Sequence, residues 1–189
     1  MLFLPRFLGN DVAKDKYRWI ALFSTGLQLI LVLYFYFFLF DPGIQLGEAT
    51  DIYQPHNWID HFNIKYYLGV DGLSMPMILL TSLLSFLCII YSWNESKRPL
   101  GYFSLFLFLN TGMMGVFMAL DFFLFYIFWE VMLLPMYFLI GMWGGPQRKY
   151  AAIKFFLYTL LGSIFMLIGM ITLYNYLPDA DKTFNLIEL

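Results

Sequence analysis

Five stretches of this chain are long and apolar enough to cross a lipid bilayer as helices, at residues 20–40, 74–93, 101–120, 122–143 and 151–177. A hydrocarbon core about 30 Å thick takes about 20 residues at a helical rise of about 1.5 Å, and in lipid an open chain must satisfy its own backbone. The first three stretches hold no charged side chain; the fourth holds Glu130 alone and the fifth Lys154 alone. Composition agrees, since 61% of the 189 residues are hydrophobic and 13% charged, too little polar surface to cover a water-soluble domain of this size. The spacing therefore predicts an all-α membrane protein of about five transmembrane helices, forming one membrane domain over residues 1–189.

The breaks are legible too. Asp41-Pro42-Gly43 closes the first stretch, and Asn94-Glu95-Ser96-Lys97-Arg98-Pro99 follows an interfacial Trp93 after the second. Asp121 parts the third stretch from the fourth, so those two helices must be antiparallel neighbours. Arg6, Lys14, Lys16 and Arg18 precede the first stretch, Lys97 and Arg98 lie between the second and third, and Arg148 and Lys149 lie between the last two. The other loops carry Asp41, Glu48, Asp51, Asp60, Asp71, Asp121, Asp179, Asp181 and Glu188, with only Lys65 and Lys182 among them. Cytoplasmic loops collect Lys and Arg, so the asymmetry predicts a cytoplasmic N-terminus and an external C-terminus.

In the external loop, 41–73, Phe62, Ile64, Tyr66, Leu68 and Val70 alternate with Asn63, Lys65, Tyr67 and Gly69, which predicts a short hairpin on the membrane surface. His56 and His61 in this loop have no cysteine and no helical register, and no metal site is expected there. Cys88 is single, which rules out a disulfide framework within the chain, and reads as a small core hydrophobe. No nucleotide-binding glycine loop, paired cysteines or Ser/His/Asp set is present, so neither cofactor chemistry nor a soluble substrate is indicated. Basic residues do not cluster with aromatics in a solvated stretch, which sets nucleic acid aside. The opening MLFLPRFLGN places arginine inside a short apolar patch, which is not the pattern of a cleavable signal; it reads as the end of a helix.

The charged residues inside the stretches are the functional candidates. Glu130 is the ninth residue of its stretch, about 13 Å from the outer end and close to the bilayer midplane. A charged side chain there costs about 2.5–3.5 kcal/mol to insert, so such residues face the bundle interior and mark ion or proton pathways. Removal from water favours a protonated carboxyl and a nearby cation favours the ionised one, so a carboxyl between those influences can exchange a proton near neutral pH. Pro135, five residues on, clashes with the Val131 carbonyl and removes a backbone hydrogen bond beside Glu130. Tyr126, Leu133, Leu134 and Tyr137 share its helical face, with two hydroxyls suited to a partly hydrated cavity. The alternative is a glutamate that only pairs with a neighbouring subunit for packing. Lys154, four residues into its stretch, either snorkels to the headgroups or, with Tyr158 one turn deeper, begins a polar track from the cytoplasm. Gly112, Gly115, Gly162, Ser163 and Gly169 read as sites of close helix packing.

Three motifs, DGLSMPMILLTSLL at 71–84, FWEVMLLPMYFLIGMWGG at 128–145 and YAAIKFFLYTLLGS at 150–163, resemble the antiporter-like subunit M of proton-pumping NADH:quinone oxidoreductase, respiratory complex I. The resemblance covers nearly the whole chain and implies part of an antiporter-like inverted-repeat bundle. Within it, Glu130 matches the glutamate of the FWE motif, which pairs with a lysine on a later, broken helix, and Lys154 matches the next charged member of the half-channel. The resemblance thus implies a proton pathway through Glu130 and Lys154, supported by Pro135, Tyr126 and Tyr137, with no catalytic, metal or cofactor-binding residue. A full-length family member begins one helix earlier and continues far beyond residue 189, so an incomplete portion, or one part of a split subunit, is expected, inactive by itself.

On that resemblance, the expected function is that of a membrane-arm subunit taking part in proton translocation coupled to quinone reduction, with no redox chemistry of its own. Flavin, iron–sulfur clusters and quinone are expected in other subunits, and the expected partners are other membrane subunits of complex I and the lipid bilayer. The expected setting is the bacterial inner membrane rather than an organellar energy-coupling membrane. Two other readings stand beside this one: a subunit of a multisubunit cation/proton antiporter, which shares the buried glutamate, and a membrane scaffold segment with no transport role.

Overall fold

Five helices form, α1 (Asn10–Phe38), α2 (Ser74–Tyr91), α3 (Pro99–Met118), α4 (Phe122–Trp143) and α5 (Arg148–Tyr176), with two strands, β1 (His56–Ile59) and β2 (Ile64–Tyr66), between the first two helices. The structure, a computed structural model, describes residues 10–39, 56–59, 64–95, 97–176, 178 and 183–185. The expected turn at Asp41-Pro42-Gly43, His61 and the first nine residues lie outside the described residues. All five helices are long and apolar enough to cross a membrane, and the fold is an all-α multi-pass bundle.

Helices and apolar stretches do not coincide at their ends. α1 extends back through the basic residues, where the Arg18 guanidinium donates to Asp15 at 3.0 Å and to the Glu95 carbonyl at 3.3 Å. α3 stops at Met118 because the chain beyond it is drawn into extended pairing. Gly69 N donates to the Met118 carbonyl at 2.8 Å, Leu120 N donates to the Tyr67 carbonyl at 3.0 Å, and Leu68 bridges Ala119.

The expected hairpin forms, and it belongs to a larger polar plate over one end of the bundle. β1 and β2 pair antiparallel, His56 opposite Tyr66 and Asn57 opposite Lys65, with an irregularity between Asn57 and Ile59. Asp121 bridges Asn185, and Phe122 N donates to the Phe184 carbonyl at 2.8 Å. Asp121 is fully buried at the centre of this plate. Its Oδ1 accepts from the amides of Phe123 (2.9 Å) and Leu124 (3.1 Å), capping α4, while Oδ2 accepts from the Lys65 amide at 3.1 Å. Burial pushes this carboxyl above its ordinary range, against the pull of those bonds and of the Lys65 charge. The residue expected only to separate two helices is thus the junction of hairpin, helix and C-terminal segment.

Asp71 plays a more open version of the same part for α2, accepting from the amides of Ser74 (2.5 Å) and Leu73 (3.1 Å). The Ser74 amide holds this carboxyl below its ordinary range against burial, the next largest influence, with help from the Ser74 hydroxyl and the Leu73 amide.

Close packing is concentrated between α3 and α4. A Cβ on Gly112 would lie 3.0 Å from Met132 Cβ, and one on Gly115 would overlap the Phe128 ring, so both glycines act as expected. Gly162 and Gly169 do not, since a Cβ at either would meet open space, both lying off the face of α5 that packs on α4. Cys88 also departs from expectation, being exposed. The buried stripe of α2 runs through Met75, Ile78, Ser82, Ser85 and Ile89, and Cys88 falls roughly 100° from its centre.

At the end of the bundle away from the plate, Lys97 Nζ and Arg148 Nη1 each donate to the Met142 carbonyl at 3.2 Å, placing cations at the C-terminus of α4. Trp143 Nε1 donates back to the Lys97 carbonyl at 2.6 Å. Arg18, through Glu95 in the same α2–α3 connection, shares this end with them.

Candidate functional site

Glu130 lies near the middle of α4 and faces α5. Contacts along that seam run antiparallel: Gly141 meets Ala152 (3.6 Å from a Cβ on the glycine), Tyr137 stacks edge-on against Phe156 with ring centroids 5.5 Å apart, and Tyr126 lies beside Ser163. All three α4 residues lie within about 40° of Glu130 around the helix, so its side chain enters the same seam, level with residues 159–163. Tyr126, one turn earlier on the same face, lies beside Glu130. The tyrosine ring is held by a buried cluster of Ile64, Met170 and Phe184, so hairpin, α5 and the C-terminal segment together position it. Glu130 Oε1 is buried without a hydrogen-bond partner, and a buried carboxyl oxygen in that state has an open lone pair for a proton or a donor.

The other candidates distribute unevenly. Tyr137 joins the Glu130 face, packed between Phe138 and Phe156; Leu133 is buried and Leu134 exposed. Pro135 is fully buried, and α4 continues through it. By helical spacing it sits about 140° from Glu130, on the side of Phe128 and Met132 that meets α3. Lys154 is exposed, its Nζ 5.8 Å above the Tyr150 ring. It points away from the Ala152–Phe156–Ser163 face of α5 and lies about 10 Å from Glu130 along the axis. Tyr158 is exposed on that outer face as well. Glu130, Tyr126 and Tyr137 therefore share the α4–α5 seam, with Lys154 and Pro135 outside it.

A second polar cluster, which no motif announces, lies where α1, α2 and α3 meet. Ser85 Oγ donates to Asn110 Oδ1 at 2.8 Å, and Asn110 Nδ2 donates to Gln28 Oε1 at 2.6 Å. Gln28 Nε2 is buried without a partner. Thr25 and Ser82, in the same seam, are fully buried and return their hydroxyls to the Ala21 and Leu79 carbonyls at 2.9 Å. The α3–α4 register puts Asn110 about 6 Å in depth from Glu130. All the groups are neutral and do not titrate near pH 7, so the cluster can hold helices together and hold no charge. Among the described residues, no three His, Cys, Asp or Glu side chains converge on a metal-sized site.

Residues 12–120 match the family described as NADH-ubiquinone oxidoreductase chain 4, amino terminus, and residues 119–188 match NADH:quinone oxidoreductase/Mrp antiporter, TM. NADH-quinone oxidoreductase subunit M of Escherichia coli (strain K12) is 41% identical over 185 residues, which cover 91% of this chain and 36% of that protein. Among solved structures, a chain of respiratory complex I from Thermus thermophilus with bound NADH is similar at a TM-score of 0.76 and 27% identity, over 90% of this chain and 34% of that one. A chain of the membrane-bound sulfane sulfur reductase, an archaeal respiratory membrane complex, shares the fold at a TM-score of 0.69 and 22% identity, over 94% of this chain and 34% of that one. The chain spans about a third of the length of the relatives it matches.

Proposed function

We propose that this chain, which belongs to the NADH:quinone oxidoreductase subunit M (chain 4) family, takes part in proton translocation through the membrane arm of such an enzyme and carries out no redox chemistry itself. The observation that carries the reading is Glu130, a mid-helix carboxyl in the α4–α5 seam with one buried oxygen that has no hydrogen-bond partner. A carboxyl so placed is expensive in a bilayer, and ionisable residues inside spanning helices mark ion and proton pathways. Tyr126 and Tyr137 support it from the same face of α4. Pro135 supports it from the α3 side, through the path of α4 rather than through the pocket wall. Lys154 serves as a second proton-path residue, and its outward position on α5 implies that it works against whatever covers that face.

In this reading the partners are other membrane subunits and lipid, and flavin, iron–sulfur clusters and quinone belong elsewhere in the complex. The chain sits in a bacterial inner membrane with its N-terminus in the cytoplasm, an orientation supported by the gathering of Arg18, Lys97 and Arg148 at one end of the bundle. The wording of the match over residues 119–188 also favours a second reading, a subunit of a multisubunit cation/proton antiporter. Co-purification separates the two, because the first brings a redox arm and the second membrane subunits only.

The test is Glu130→Gln in the assembled complex containing this chain, since glutamine keeps the size and hydrogen-bonding capacity of the side chain and deletes its charge. Proton pumping should fall with assembly intact, and Lys154→Met should lose less. Normal pumping in Glu130→Gln would leave a scaffold role in its place.

A further inference from the structure

Two cations meet on one oxygen at the basic end of the bundle. Lys97 Nζ and Arg148 Nη1 each lie 3.2 Å from the Met142 carbonyl, so they stand within about 6.4 Å of each other, twice that distance, where like charges repel. The end of α4 offers them only about half a negative charge. Each keeps donors to spare, since an ammonium has three and a guanidinium five. The nearby acids are engaged elsewhere: Asp15 pairs with Arg18 at 3.0 Å, and Glu95 Oε1 accepts from the Lys97 amide at 2.8 Å. Among the described residues, no carboxylate lies within 4.0 Å of the Lys97 or Arg148 charge.

The surroundings hold these cations in place and leave room beside them. Trp143 Nε1 donates to the Lys97 carbonyl at 2.6 Å, and its ring is fixed edge-on to Tyr102 with centroids 5.4 Å apart. A cavity of about 620 Å³, lined by residues 144–150, includes Arg148, Lys149 and Tyr150. That volume is within the range of small-molecule sites, about 300–1,000 Å³. From Tyr150 the exposed Leu157 and Leu161 continue on the same side of α5 toward the midplane.

We propose that this end of the bundle binds an anionic phospholipid, its phosphate held by Lys97, Arg148 and Lys149 and one acyl chain lying along Leu157 and Leu161. The cations sit where α4 and α5 leave the apolar layer, which is the level of the headgroups, and Trp143 and Tyr150 stand where interfacial aromatics gather. Basic pockets between spanning helices attract anionic headgroups at that level. A free phosphate would meet the cations and leave the apolar track beneath Tyr150 unused, whereas a phospholipid meets both. The inference is independent of the role of Glu130.

The experiment adds a photoactivatable phosphatidylglycerol to the detergent-solubilised assembled complex containing this chain and maps the labelled peptides by mass spectrometry. Labelling is expected within residues 143–161. Excess phosphatidylglycerol should displace it, and equal amounts of phosphatidylcholine or inorganic phosphate should not. Lys97→Gln and Arg148→Gln should each lower labelling about fivefold, and the pair about twenty-five-fold, the worth of one and two cations near a headgroup. Lys97→Arg, which keeps the charge, should label as the parent does. Equal displacement by phosphatidylcholine would reduce the contact to ordinary bilayer lipid, and equal displacement by inorganic phosphate would make it a free-anion site; either overturns the proposal. So does undiminished labelling in the pair, or an unlabelled site whose Lys97 cross-links by carbodiimide to a carboxylate of another subunit. If the glutamine variants fail to assemble, the competition in the parent complex still decides.

Discussion

The seam of α1, α2 and α3 and the seam of α4 and α5 carry polar side chains at nearly one depth, but they deal with burial in opposite ways. In the first, neutral amide and hydroxyl groups on three helices bond to one another, Ser85 to Asn110 to Gln28, and nothing there can gain or lose a proton near neutral pH. In the second, a carboxyl keeps one buried oxygen without a hydrogen-bond partner, beside Tyr126. Neutral networks hold membrane helices in register, and an ionisable group with unspent bonding capacity marks where charge can change. On the proposed reading, the same bundle separates the work of cohesion from that of proton handling.

The severest way to break this contrast is to disturb the contact that sets both seams. Gly115→Val drives a branched side chain into the Phe128 ring, and a loss of about 3 kcal/mol or more is expected, read as a fall in Tm or a failure to assemble. An unchanged Tm would mean that α3 and α4 are not held this closely. Asp121→Ala strips a buried acceptor from the amides of Lys65, Phe123 and Leu124. It should cost about 2–3 kcal/mol in thermal unfolding.

Asn110→Ala acts inside the neutral seam and should cost about 1 kcal/mol, leaving protons pumped per electron unchanged. A lower ratio at full stability would move that seam into the proton path.

The smallest effect comes from the two aspartates that start helices. Asp71 lies below its ordinary value of 3.8 in the folded chain, so its contribution is present above about pH 3.8 and fades as pH falls through the lower folded value. Asp121 lies above 3.8, so its contribution is full below that value and is lost as pH rises through the higher folded one. Amide-exchange protection at Leu73 and Ser74 should therefore weaken below about pH 4 while that at Phe123 and Leu124 does not. Parallel weakening would show that the two caps do not differ in this way.

How much of this was legible follows from what is local. Spanning helices depend on length and apolarity alone, so five windows led directly to five helices, and a period of two over 62–70 pointed to the hairpin. Glu130 stood out because a single charge in an apolar stretch is visible without a fold. The neutral seam and the meeting of α4 with α5 were hidden because they depend on register between helices. Ser163 needs the α4–α5 offset to meet Tyr126, and Gln28, Ser85 and Asn110 are unremarkable until three helices align. Thr25 with Gln28 and Ser82 with Ser85, each spaced three apart, were the available signal. Pro135 and Lys154 were placed by distance along their helices when direction around the axis decided their neighbours, and Asp121 was read as a break because its partners are remote in sequence.

The most direct measurement is the number of protons translocated per quinone reduced, with Tm recorded alongside, for Glu130→Gln and Asn110→Ala in the assembled complex. The expected result is a crossed pattern: Glu130→Gln loses translocation at an unchanged Tm, and Asn110→Ala loses Tm at an unchanged ratio. A Glu130→Gln complex that translocates as many protons per quinone as the parent would contradict the assignment of proton handling to the α4–α5 seam.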